Sequence, residues 1–279
     1  SRADGSVRKR RATLGFIQRA AYDHLLFLLR FKDHLARRSN NRVLAAIGRR
    51  FVDPSEISLT CIPVNEEIAL PPSTVAPVGV VEHFLRSASY HVSMTKCPCR
   101  AEMKCEDYPR DFGCTFIGEG ARQIDPHLGT RISREEALAK LEESNRMGLV
   151  TTLGRFKGDA LALGVKDDTR LMTICHCCPC CCLTTSIHLA SPELRDTIVK
   201  LEGVTVHVGE GCTGCGQCVE ACIFHQIEII DGAAVIGEEC KGCGRCVGAC
   251  KSGVIKIEVE NPRYVEESIE RISSYVDVT

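Results

Sequence analysis

The sequence predicts an α+β chain, and three observations carry that reading. Apolar residues recur at helical steps near the N-terminus, valines and isoleucines alternate at strand period after residue 204, and 19 cysteines fall into tight groups. The expected division is a basic helical arm over 1–52, a cysteine-rich α/β middle region over 53–200, a module of short strands around two cysteine runs over 201–260, and a C-terminal tail over 261–279. With 279 residues, 44% hydrophobic and 25% charged, the chain has material for about two packed domains, and wholesale disorder is excluded. The cysteine count is odd, no signal peptide is expected at the start, and the spacings suit metal centres better than disulfides. A reducing, cytoplasmic setting follows from so many clustered thiols.

The arm comes first. Leu14, Ile17, Ala21, Leu25 and Leu28 recur at three- and four-residue steps, which predicts helix within Arg8–Phe51, with a second helical stretch over about Arg42–Arg50. Residues 1–50 carry 13 Lys/Arg against 3 Asp/Glu, while the other 229 carry 22 against 33, so the formal net charge of −1 hides a basic arm on an acidic body. Two basic helices packed on the body, or on a redox partner protein or larger oxidoreductase complex, are expected. A membrane-surface helix is the alternative. Nucleic-acid binding is not expected, because no aromatic stacking pattern accompanies the charge. The apolar run Leu25–Leu29 is far too short to span a bilayer, and no apolar region follows Arg10–Arg11 as an export signal requires.

Pro54, Pro63, Pro71, Pro72 and Pro77 mark residues 52–77 as an irregular linker. A short helix follows, with Val80, Val81, Phe84 and Leu85 on its apolar face. Tyr90–Met94 then alternates like a strand that delivers the first cysteine pair. Arg134–Met147 is the clearest helix of the middle region: Ser133 and Glu136 form a capping box, and Gly148 sits where a C-terminal glycine belongs.

In the C-terminal part, Val204, Val206 and Val208 alternate, as do Ile227 with Ile229 and Ile255, Ile257 with Val259. Between these strands lies an internal repeat. Cys212, Cys215, Cys218 and Cys222 recur 28 residues later as Cys240, Cys243, Cys246 and Cys250. Three thiolates two residues apart wrap a tight loop around a cluster, which leaves one position for a cysteine from elsewhere. Gly214, Gly216, Gly242 and Gly244 let the backbone curl and turn its amides toward the sulfurs. A pair of zinc sites is the alternative. Gly209, Gly211 and Gly214 also spell G-x-G-x-x-G after a strand, but cysteines fill the loop where a dinucleotide site needs a helix.

This region, over about residues 203–260, resembles bacterial two-[4Fe-4S] ferredoxins. The resemblance implies two [4Fe-4S] clusters, one held by Cys212, Cys215, Cys218 and Cys250, the other by Cys240, Cys243, Cys246 and Cys222. The proline that usually follows the fourth cysteine is replaced by Ile223 and Lys251, which puts local solvent access, and with it the potential, in question.

Of the eleven other cysteines, Cys97, Cys99, Cys105 and Cys114 form one group and Cys175, Cys177, Cys178, Cys180, Cys181 and Cys182 another. Residues 60–260 resemble multi-cluster iron–sulfur proteins of anaerobic bacteria, in which a CxCR segment and a CxCCxCCC run precede a two-cluster ferredoxin module. Here the matching pieces are Cys97–Arg100, the helix from Ser133 to Gly148, and Cys175–Cys182. Six cysteines in eight positions repel one another as thiolates unless a metal compensates them. One or two further iron–sulfur clusters are therefore expected, with zinc the alternative. Six thiols exceed the four of one ordinary cubane, so the groups share two clusters, hold an unusual one, or leave some thiols spare. Cys61, alone in the linker, reads as structural. Arg100 can offset cluster charge, and His176 is a candidate ligand inside the run.

The function expected is electron transfer: single electrons relayed through these clusters to a partner oxidoreductase. A reductase acting at an unusual cluster in the Cys175–Cys182 run is the rival, and an iron–sulfur assembly or sensor protein the third reading. No serine-protease order, phosphate loop or metalloprotease motif occurs.

Overall fold

The structure, a computed structural model, describes residues 20, 22–24, 26–48, 53–63 and 77–279. Leu14, Ile17, Ala21 and Leu25 of the expected arm helix, and Pro71 and Pro72 of the expected linker, lie outside the described residues. In chain order the helices are α1 (Lys32–Arg38), α2 (Arg42–Gly48), α3 (Val78–Ser87), α4 (Pro98–Glu102), α5 (Arg134–Arg146), α6 (Lys157–Leu163), α7 (Pro192–Arg195), α8 (Gln217–Ala221), α9 (Arg245–Ala249) and α10 (Tyr264–Ser273). The architecture is a mixture of helices and strands, as an α+β chain requires.

Seven strands form one mixed sheet: β1 (Ile57–Ile62), β2 (His91–Met94), β3 (Thr115–Ile117), β4 (Gly129–Arg131), β5 (Val150–Phe156), β6 (Met172–Cys177) and β7 (Ile198–Lys200). Their order is β4-β2-β3-β6-β5-β1-β7, with every neighbour antiparallel except β7 on β1. The proline-marked stretch 52–77 is thus not linker throughout, because 57–62 is strand β1, paired along its whole length with β5. Its Ile-Ser-Leu-Thr-Cys-Ile alternation is overshadowed in sequence by Pro54 and Pro63, which only bound it.

Strand alternation sorts the sheet into two faces. On β6, Met172, Ile174 and His176 point one way, and Thr173, Cys175 and Cys177 the other. Register carries this to β5, where Leu153 lies opposite Ile174, Thr152 opposite Cys175 and Val150 opposite Cys177. The first face is covered by α3, α5 and α10. Phe84 and Leu85, Leu141, and Tyr264 and Ile272 pack there on Leu153 and Ile174. The capping box at α5 is present: Ser133 Oγ accepts from the Glu136 amide at 3.1 Å, and Glu136 Oε2 from the Ser133 amide at 2.6 Å. On the second face, Ala160 and Leu163 of α6 cover Val92, Met94 and Phe116. The cysteine loops cover the rest.

Beyond residue 200, β8 (Val204–Val208) pairs antiparallel with β11 (Ile255–Val259), and β9 (Ile227–Ile230) forms a hairpin with β10 (Ala233–Ile236). Leu201, Val204, Ile257 and Val259 join the same core as the first face of the large sheet. So does the stretch read as a C-terminal tail: α10 lies within 261–279, and Val276 and Val278 are buried beyond it. Tyr264, Ser268 and Ile272 recur at four-residue steps and are all inaccessible.

The described part of the basic arm is not one continuous helix. A turn at Arg30–Phe31 separates α1 from helical residues 26–29, and another at 39–41 separates it from α2. Helix α1 docks on its own chain. Buried Lys32 donates from Nζ to Thr185 Oγ1 and Ser186 Oγ, both at 2.8 Å, and Asn40 Nδ2 donates to the Leu189 carbonyl at 2.9 Å. The arm therefore braces the 3-10 helix at Leu183–Leu189, directly after the Cys175–Cys182 run. No helix among the described residues is long and apolar enough to cross a membrane.

Candidate metal centre

The two C-terminal runs are built alike. Each curls through glycines of positive φ, Gly214 and Gly216 in the first run and Gly242 and Gly244 in the second, then enters a five-residue helix. The requirement for glycine is steric as well as conformational. A Cβ on Gly214 would stand 2.5 Å from the Gly232 carbonyl oxygen. The runs interlock across the repeat. Cys222 of the first lines a small pocket, with a cavity volume of about 10 Å³, together with Cys240, Cys243 and Cys246 of the second, beside Phe224 and Ile227. Cys218 packs with Cys212, Cys222, Cys246 and Cys250 around Ile227 and Ile255. Backbone amides reach the sulfurs, from Gln226 to Cys222 at 3.2 Å and from Ala234 to Cys212 at 3.3 Å. Burial pushes the Cys243 and Cys246 thiols up to about 12, so free thiols there stay protonated until a metal displaces the proton. Cys215 is exposed, whereas Cys243 is buried, so the first run faces outward and the second inward.

In the middle region the chain brings together Cys105, from the loop after α4, and Cys178, Cys180 and Cys181, from the turn after β6. Their sulfurs lie within 4.8 Å of one another, and Cys105 and Cys180 stand 3.5 Å apart. Four thiols with no other donor suit a thiophilic metal. A tetrahedral ion with bonds of about 2.3 Å places its sulfurs roughly 3.8 Å apart, so the quartet is of a size to hold one ion. A four-iron cluster, with more widely spaced ligands, requires the 178–181 turn to open.

The six other middle cysteines lie beside the quartet. Cys175 and Cys177 share the second face of β6, and Cys114, just before β3, meets Cys175 at 3.5 Å. Cys99 and Cys175 pack against the buried cluster that holds Cys177 and Cys182, and Thr152 Oγ1 meets Cys177 Sγ at 4.0 Å. Two of the six favour the thiolate. The hydrogen bond from Cys99, then the Arg100 charge, pull Cys97 down to about 7 against its burial. Hydrogen bonds from Cys177, Cys99 and Thr184 hold Cys182 well below the usual thiol range.

Arg100 is 1% exposed. Its guanidinium donates from Nε to the Pro109 carbonyl at 2.8 Å, from one terminal nitrogen to the His176 carbonyl at 2.9 Å, and from the other to the Phe112 carbonyl. Against its burial, the nearby Cys97, Cys178 and Cys114 sulfurs favour its charged form. No carboxylate pairs with it among the described residues. Lys140, on the same side, sits over the Phe112 ring at 4.8 Å, and burial lowers it to about 8. Sequence reading missed Lys140. The signal was present, because it shares a helix face with buried Ala137, Leu141 and Ser144.

His176 is not brought to either thiol group. Its ring points to the opposite face of β6, 5.3 Å from the Phe112 ring and 3.4 Å from Thr115 Oγ1, and burial, with Lys140 and Arg100 nearby, lowers it to about 3. Cys61 is fully buried on the cysteine face of the sheet, opposite Thr152 in register and packed with Cys177 and Cys243. Comparison with known protein families, curated proteins and solved structures finds no match to this chain.

Proposed function

We propose that this chain is an iron–sulfur electron-transfer protein. In this reading the two C-terminal runs hold ferredoxin-type [4Fe-4S] clusters, and the middle cysteines hold further redox-active metal. One observation carries it. Cys105, Cys177, Cys178, Cys181 and Cys182 of the middle region share a single buried apolar cluster with Cys243, Ile223 and Phe224 of the C-terminal runs. Metal centres at the two places would then be joined through packed, buried side chains. The exposed Cys215 end receives or delivers electrons at the surface, and the Cys222/Cys240/Cys243/Cys246 cavity passes them inward. Such a centre needs thiolate ligands, a dry shell and a near neighbour, and no substrate pocket. The partner is a second redox protein, and a reducing cytoplasmic setting belongs to the same proposal.

Iron quantitation with EPR on the anaerobically purified, dithionite-reduced chain tests this. About 12–16 iron atoms per chain are expected if each centre holds four. About eight, unchanged when the middle cysteines are replaced, would confine the relay to the C-terminal runs; no iron at all would end the proposal. The reductase reading has one point in its favour, since the exposed Cys180 lets a small molecule reach the quartet. It requires a substrate that perturbs the EPR signal of a middle centre, which a pure carrier lacks.

A further inference from the structure

Four sulfurs of the middle region close to the size of one ion, and those of the C-terminal runs do not. Cys105, Cys178, Cys180 and Cys181 have their sulfurs within 4.8 Å of one another, with Cys105 and Cys180 at 3.5 Å. Among the described residues, which include every cysteine of the C-terminal runs, no other group of three or more cysteine, histidine or carboxylate ligands is gathered so closely. We propose that this quartet binds a single tetrahedral ion of the thiophilic class, iron(II) or zinc(II), with no bridging sulfide. The inference deepens the electron-transfer reading and rests on it in one respect, that the middle thiols take metal. It places one metal atom here where a cubane places four.

Spacing is the first argument. In a cubane each cysteine binds a different iron, so the four sulfurs stand around the outside of a four-metal core. Around one ion all four bind the same atom, and bonds of about 2.3 Å hold the sulfurs roughly 3.8 Å apart. The quartet has the second size. The chain contains its own comparison. The ferredoxin-like runs place cysteines at every third position, as Cys212, Cys215 and Cys218, then Cys240, Cys243 and Cys246. The quartet draws Cys178, Cys180 and Cys181 from one turn, at steps of two and one. Consecutive Cα atoms are about 3.8 Å apart, so the adjacent thiols of Cys180 and Cys181 converge on one atom more readily than they span separate irons.

Donor chemistry is the second argument. All four ligands are sulfur, and no carboxylate or imidazole joins the group. Such a set disfavours magnesium and calcium, which take oxygen, and selects zinc or iron. Preorganisation is the third. Cys105 is held at both backbone groups: its amide donates to the Arg100 carbonyl at 2.9 Å, and its carbonyl accepts from Arg110 Nε at 2.7 Å. The other three follow directly on β6, whose last residue, Cys177, pairs with Val150. Beyond the turn, the Cys182 carbonyl accepts from the Thr185 amide at 3.1 Å and from its hydroxyl at 2.7 Å, and Lys32 of α1 donates to that hydroxyl at 2.8 Å. Both sides of the site are thus fixed by bonds that involve no metal, and ligands supported in this way hold one coordination geometry. Cys105, Cys178 and Cys181 are buried and Cys180 is exposed, so the ion lies at the edge of the protein. There it clasps the loop after α4 to the turn after β6. Iron adds a one-electron step at this point, and zinc does not.

The test uses the full 279-residue chain, purified anaerobically, unaltered and as Cys105→Ser with Cys180→Ser. Iron, zinc and acid-labile sulfide are measured per chain, and EPR follows the two C-terminal clusters as the folding control. The double variant is expected to lose one metal atom and no sulfide, with the C-terminal signals intact. Loss of one iron supports the inference and the electron-transfer reading together. Loss of one zinc supports the inference and removes the quartet from the relay. Loss of about four irons with as many sulfides means a cubane, which overturns the inference and leaves the electron-transfer reading in place. Unchanged metal means that the quartet holds none and overturns the inference; if the unaltered chain then carries only the iron of the C-terminal runs, the electron-transfer reading of the middle region falls as well. Should the double variant lose the C-terminal signals, Cys180→Ser alone, at the exposed position, repeats the measurement against a chelator. The unaltered chain is then expected to keep its ion and the single variant to give up one atom without sulfide, whereas equal retention, or loss with sulfide, overturns the inference.

Discussion

Replacing Arg100 with alanine is expected to destabilise the chain by about 3–5 kcal/mol, the range for removing one partner from a buried charge set, and to strip metal from the middle cysteines. The side chain is inaccessible, and its guanidinium holds the carbonyls of Pro109, Phe112 and His176 at once. Alanine leaves the buried His176 carbonyl without its donor, worth about 1–3 kcal/mol when unsatisfied, frees the more exposed Pro109 and Phe112 carbonyls, and opens a cavity where the long stem lay. It also removes the cation that helps pull the Cys97 thiol down. Arg100→Lys separates the contributions. Its ammonium keeps the charge but cannot fork to three carbonyls in one plane, so it should retain more metal than alanine while recovering only part of the stability. Anaerobic urea denaturation gives the first quantity and iron per chain the second. An alanine variant with unchanged midpoint and unchanged iron would show that the guanidinium is incidental.

The second large effect is expected at a residue with no chemistry of its own. Gly154 lies in the interior of β5, between β1 and β6, at φ +150°. A Cβ there would stand 1.9 Å from the Ser58 carbonyl oxygen, a backbone atom held in the ladder. No rotamer change relieves that contact, so β1 must move or β5 must twist. Gly154→Ala should cost about 3 kcal/mol or more, at the upper end of overpacking, with backbone strain added. Because β5 fixes the register of Cys175 and Cys177, metal at the middle site should fall with it, while the C-terminal clusters, on separate strands, should keep their EPR signals. Thermal unfolding of the reduced protein followed by circular dichroism measures the first effect. A melting temperature within a degree of the unaltered chain would mean that the close approach is absent in solution.

Local patterns in this chain were readable because their causes are local. The α5 capping box is three residues long, so Ser133 and Glu136 declare it directly. The four-residue steps of Val80, Val81, Phe84 and Leu85 place α3 on its core correctly, and alternation finds β2, β8, β9 and β11. Strand β1 was hidden for the opposite reason. Its partner β5 lies some ninety residues away, and nothing within 57–62 outweighs the flanking prolines. The C-terminal helix escaped notice in the same way. Its apolar stripe is narrow, and only the core formed by α3 and the large sheet explains why Tyr264 and Ile272 are buried.

The sequence by itself determined that the cysteines fall in tight runs, because spacings of two and three residues keep thiols within one short loop whatever the fold, the span being set by bond lengths and a few dihedrals. Only the tertiary structure decided how those cysteines are grouped. It joins Cys105 to Cys178, Cys180 and Cys181, sets Cys114 against Cys175, and turns His176 to the other face of β6. It also buries Arg100 and packs Cys61 against the inner C-terminal run. Those outcomes depend on the pleat of β6, which sends alternate side chains to opposite faces, and on strand pairings between distant segments that no short window of sequence contains.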